Sequence, residues 1–125
     1  MNRLHNCSNP YQGKAKKVLC VCSAGLLRSP TTAKVLGEKY GFNTRAVGLD
    51  TGHALIPIDE VLLSWADEVV CMDNRQQDRI FDLFETHKIA STPVTVLNIP
   101  DNFAYMDDVL VTLIETNYED SLTNE

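Results

Sequence analysis

Short apolar runs alternate with stretches of helical periodicity along the whole chain. Residues 17–22, 44–48, 68–72 and 94–98 are compact and apolar, a pattern that predicts four strands. Between and after them, residues 30–40, 58–65, 75–85 and 105–115 carry apolar positions at helical spacing. The first of these has its own punctuation. Ser29 reads as an N-cap and Pro30 as the first helical residue, Ala33, Leu36 and Tyr40 follow on one face, and Gly41 supplies the stop. Strict alternation of strand and helix predicts an α/β fold with a parallel sheet covered by helices on both faces.

Composition narrows the class. With 125 residues and 44% hydrophobic content the chain can bury one real core. A single domain is expected over residues 15–118, with a flexible arm at 1–14 and an acidic tail at 119–125. No apolar stretch reaches the roughly 20 residues of a membrane span, and no secretory signal precedes the first strand. A soluble, cytoplasmic protein is the expectation. Cys7, Cys20, Cys22 and Cys71 show neither metal spacing nor a secreted disulfide framework, so reduced thiols are expected. Cys20 and Cys22 would share one face of the first strand. His5, His53 and His87 are scattered, and no metal or cofactor is expected.

The net charge of −6 is unevenly divided. Residues 1–49 hold eight Lys/Arg and one acid, whereas residues 50–125 hold three Lys/Arg and sixteen acids. Lys14, Lys16 and Lys17 either steer an anion or solubilise the entry to the first strand. Nucleic acid is not an expected partner, because the basic residues lack interleaved aromatics and the chain is acidic overall.

The candidate chemistry lies between the first strand and the first helix, at Cys22-Ser23-Ala24-Gly25-Leu26-Leu27-Arg28-Ser29. A loop that feeds a helix N-terminus aims backbone N–H groups and the positive end of the helix dipole at one point, which suits an oxyanion. Cys22 can place its sulfur beneath that anion, and Arg28 can grip two of its oxygens with a planar fork. Both the dipole and the guanidinium favour the thiolate, the nucleophilic form. Phosphoryl transfer from an ester to cysteine is the implied reaction. In such a fold the ligand site lies beyond the carboxyl ends of the strands, where Asp50, Asp73 and Asp101 are all candidate acids. Asp73 also reads as the N-cap of the third helix, and Asp50 as a turn former beside Gly52.

Cys22, Arg28, Ser29 and Pro30, with five residues inside the loop, resemble the signature of the low-molecular-weight protein tyrosine phosphatases. The likeness extends weakly from about Lys16 onward, with a second match at Pro100-Asp101-Asn102-Phe103. It implies a three-layer sandwich whose four parallel strands follow the flavodoxin-like order 2-1-3-4. It implies a protein tyrosine phosphatase acting through a phosphocysteine, with Asp101 as general acid and Ser29 steadying the sulfur. Ser23, Ala24, Gly25, Leu26 and Leu27 would bind the phosphate, and Phe103 would wall the pocket opposite Leu49 or His53, with Tyr105 a weaker candidate. A phosphotyrosine protein or a small aryl phosphate would be the substrate. The pattern departs from the family where Gly25 replaces an asparagine, Leu27 a cysteine and Asn102 a proline. Related arginine phosphatases usually carry threonine at the place of Leu26, which argues against phosphoarginine. Two other readings stay open: a phosphate- or phosphoprotein-binding module with little turnover, and an arsenate reductase, although the late cysteines of such a relay are missing after Cys71.

Overall fold

Val18, Leu19, Cys20, Val21 and Cys22 are all buried, which requires protein on both faces of the strand they form. The computed structural model describes residues 15–22, 28–49, 57–100 and 102–123. Within them the order is β1 (Lys17–Cys22), α1 (Arg28–Tyr40), β2 (Asn43–Gly48), α2 (Glu60–Trp65), β3 (Glu68–Cys71), α3 (Asn74–Thr86), β4 (Val94–Val96) and α4 (Asp108–Thr123). The strands form one parallel sheet, as the alternation implied, in the order β2-β1-β3-β4 that the resemblance implied.

Side-chain alternation along β1 divides the interior in two. Val18, Cys20 and Cys22 point into a core built with Ala33 and Leu36 of α1 and Leu110, Ile114 and Tyr118 of α4. Leu19 and Val21 face a second core, closed by Leu63 of α2 and by Ile80 and Phe84 of α3. Helices thus cover both faces, and the sheet is the middle of three layers. Among the described residues, no helix is long and apolar enough to cross a membrane.

Several element ends differ from the sequence reading, each for a local reason. The α1 helix begins at Arg28, so Ser29 lies in its first turn and spends its hydroxyl on Val47 instead of capping the helix. The α2 helix begins at Glu60 because Asp59 caps it, accepting from the Leu62 amide at 2.8 Å. Asp73 caps α3 as expected, accepting from the Gln76 amide at 2.9 Å. Gly41 ends α1 with φ +70°, its N–H donating a hydrogen bond to the Gly37 carbonyl at 3.0 Å. The third and fourth strands stop short, at Cys71 and Val96. The last helix starts later than read and runs further, because Leu110, Ile114 and Tyr118 recur every four residues and are all fully buried. Residues 119–123, read as part of a tail, are therefore helical, and Glu119 pairs with Lys39 and the Tyr40 hydroxyl. Residues 1–14 lie outside the described residues.

At the amino end of the sheet, Glu68 is buried and fully engaged. It accepts from the Tyr118 hydroxyl at 2.8 Å, from Lys16 at 2.8 Å and from the Thr95 hydroxyl. This network lies at the opposite end of the strands from Cys22.

Candidate active site

Cys22 ends β1 and is 3% exposed, with its carbonyl tied to the Leu49 amide at 2.9 Å. Its Sγ donates to Ser29 Oγ at 3.2 Å, and Ser29 Oγ donates to the Val47 carbonyl at 3.2 Å. The pairing of Val21 with Val47 and of Cys22 with Gly48 brings that carbonyl to the same end of the sheet. The result is a thiol, a hydroxyl and a carbonyl in series. Ser29 has one proton to give: it serves Val47 while the sulfur is protonated, and by rotating it can serve the sulfur once that is a thiolate.

Arg28 begins α1 and is 4% exposed. A buried guanidinium needs hydrogen bonds to offset the water it loses. One comes from the far end of the chain, where the Ile99 carbonyl accepts from Arg28 Nη1 at 2.8 Å. Arg28 lines a cleft of about 430 Å³ together with Met72, Asp73, Arg75, Asn98, Ile99 and Pro100. Cys22, Ser29 and Arg28 thus gather at the carboxyl end of the sheet, where a parallel α/β fold places its ligands.

Of the other predicted site residues, Ser23, Ala24, Gly25, Leu26 and Leu27 lie outside the described residues, as do Asp101, Asp50 and His53. Pro100, just before Asp101, lines the cleft beside Arg28. Phe103 is half-buried and packs against the core under α1 and α4, and Tyr105 is exposed. Leu49 is buried in the opposite core, against α2 and α3.

The thiols divide by face. Cys20 and Cys22 look toward α1 and α4, whereas Cys71 is buried toward α2 and α3. Burial pushes the Cys71 thiol up to about 12, with the nearby Asp73 charge adding to the effect. It is an inert core residue.

Two long-range contacts of the α1 start were invisible in the sequence: the Ile99 carbonyl that holds Arg28, and the Met106 amide, which donates to the hydroxyl of fully buried Thr31 at 2.9 Å. A backbone acceptor carries no residue-type signal. Met106, with φ +58°, is a left-handed residue that nothing in its side chain announces.

No protein-family model and no curated protein sequence matches the chain. Solved structures do. The tyrosine phosphatase Wzb from Escherichia coli K30, in complex with phosphate, superposes with a TM-score of 0.66 at 14% identity, over 88% of this chain and 98% of that one. The YwlE arginine phosphatase from Geobacillus stearothermophilus gives 0.63 at 21% identity, over 87% and 94%. Vibrio vulnificus Wzb, in complex with benzylphosphonate, gives 0.63 at 17% identity, over 90% and 100%. With the sheet order 2-1-3-4 and the layering described above, these likenesses establish that the chain has the fold of the low-molecular-weight protein tyrosine phosphatases.

Proposed function

We propose that this protein is a cysteine-dependent phosphomonoester hydrolase, a tyrosine phosphatase of the low-molecular-weight type. The observation that carries the reading is the convergence of Cys22, Ser29 and Arg28 at the carboxyl end of β1, in a fold shared with phosphatases. The Cys22 thiolate attacks phosphorus, the bond to the leaving oxygen breaks, and Asp101 protonates that oxygen. Water, deprotonated by Asp101, then attacks the phosphocysteine, the P–S bond breaks, and phosphate leaves. Arg28 and the amides of residues 23–27 balance the charge of the transferring group, and Ser29 donates to the sulfur as it departs. Phe103 flanks the leaving group.

The substrate is an aryl phosphate, on a protein or free. Leu26, where related arginine phosphatases usually carry threonine, disfavours phosphoarginine. A thiolate nucleophile needs reducing conditions, which favours the cytoplasm as its compartment. A thiol relay is not favoured: Cys71 faces the other core, away from Cys22.

The test is hydrolysis of p-nitrophenyl phosphate with EDTA and reductant, comparing the parent with Cys22→Ser, Arg28→Lys and Asp101→Asn. Turnover lost in the first two and lowered about 10²- to 10⁴-fold in the third is the expected result. A folded parent that binds phosphate without turning over substrate would instead be a binding module.

A further inference from the structure

The chain leaves β4 by a left-handed step. Leu97 donates its amide to the Cys71 carbonyl at 2.9 Å, and Ile99 donates to the Met72 carbonyl at 3.0 Å. Two residues on one side are thus set against one on the other, the offset of a β-bulge. The intervening residue is Asn98, with φ +58°. Its side chain is exposed, so the fold draws on its backbone conformation. Asparagine is the residue after glycine that adopts this region most readily. Asn117 of α4 braces the step from behind, donating Nδ2 to the Leu97 carbonyl at 2.7 Å. Beyond the turn, the Ile99 carbonyl faces Arg28 Nη1 at 2.8 Å.

We propose that Asn98 is a positioning residue for Arg28: its left-handed backbone aims the Ile99 carbonyl at the guanidinium and so sets the orientation of the anion-gripping fork. The proposal rests on the phosphatase reading for its catalytic consequence. Its geometric content stands apart from that reading. A guanidinium grips phosphate through a planar pair of N–H groups, so rotating the plane costs it one of two bonds. Leu97 and Ile99 are buried beside Met72, and the carbonyl cannot drift without disturbing that packing. A β-branched residue at position 98 would move the backbone toward the extended region and swing the carbonyl away.

The experiment compares Asn98→Gly with Asn98→Val, alone and with Arg28→Lys. Asn98→Gly keeps the turn while removing the same side chain from the cleft, so its kcat/KM should exceed that of Asn98→Val by about 10- to 100-fold. Asn98→Val should lose about 10- to 100-fold in kcat/KM on p-nitrophenyl phosphate and in inorganic phosphate affinity, per folded molecule. In the Arg28→Lys background, where turnover is already lost, the same change should alter inorganic phosphate affinity by less than about twofold, because the contact it acts through is already altered. Guanidinium NMR of the 15N-labelled protein supplies a readout that needs no activity: a hindered, slowly exchanging Arg28 Nη signal in the parent and Asn98→Gly, lost in Asn98→Val. Valine and glycine variants with equal kinetics and equal Arg28 spectra would overturn the proposal. A parent with the hindered Arg28 signal but neither turnover nor phosphate binding would remove the phosphatase reading and leave the positioning intact.

Discussion

Ser29→Ala separates the two demands on one hydroxyl. Ser29 is fully buried, and its Oγ lies 3.2 Å from both the Cys22 sulfur and the Val47 carbonyl. In the resting protein its proton goes to the carbonyl, a neutral bond whose loss costs about 0.5–1.5 kcal/mol. Alanine recovers part of that through its better helix propensity, by up to about 0.7 kcal/mol. The net loss of stability should therefore stay near or below about 1 kcal/mol. In turnover the demand differs, because the sulfur departs as a thiolate. A hydrogen bond to a charged partner is worth about 1.5–3 kcal/mol. At 1.36 kcal/mol per decade of rate, that predicts a kcat lowered about 10- to 150-fold. Breakdown of the phosphocysteine would become rate-limiting. The assay is stopped-flow release of p-nitrophenol, in which the variant should show a burst equal to the enzyme concentration followed by a slow steady state. Urea unfolding runs beside it. Stability lowered as calculated, with kcat within twofold of the parent and no burst, would refute the reasoning and leave the hydroxyl a tether to Val47 alone.

At the other end of the sheet, Tyr118→Phe removes a buried donor to the Glu68 carboxylate and should cost about 1.5–3 kcal/mol in urea unfolding with activity unaffected; a change under about 0.5 kcal/mol would mean Lys16 and Thr95 suffice. Burial and the Glu68 bond hold the Tyr118 phenol above its ordinary 10.0, and burial raises the Cys71 thiol from 9.0 to about 12. Both groups are kept neutral by folding. Their contribution is intact below pH 9 and is lost as pH rises, from 9 toward 12 for the thiol and from 10 upward for the phenol. Unfolding measured at successive pH values should show this fall, with a shallower slope in Cys71→Ala; identical slopes would discount the thiol. Gly41→Ala isolates backbone strain, since a Cβ there meets nothing within 4 Å while φ is +70°. It should destabilise by about 1–2 kcal/mol, and no change in the urea midpoint would show that α1 ends without help from the left-handed turn.

The elements were legible because periodicity is local. Val18 to Cys22 announces a strand buried on both faces, and Asp73 and Gly41 mark helix ends by their own chemistry. The same signals misled where tertiary contacts overrode them. Ser29 has the side chain of a cap, yet β2 offers it a carbonyl and the sulfur offers it a proton, so it works inside the helix. Asn98 ends an apolar run and reads as strand, although asparagine is also what a left-handed turn calls for. The every-fourth-residue pattern of Leu110, Ile114 and Tyr118 carries the last helix past Glu115.

The sequence by itself determined the alternation that makes a parallel sheet, the spacing of Cys22 and Arg28, and the residue types that an oxyanion site requires. Only the tertiary structure decided what holds those groups in place. Arg28 is held by a carbonyl 71 residues away, Thr31 by an amide 75 residues away, and the hydroxyl of Ser29 by the next strand. Every residue carries a carbonyl and nearly every one an amide, so a sequence cannot say which of them will face a given side chain. That choice belongs to the packing of α4 and the sheet against α1.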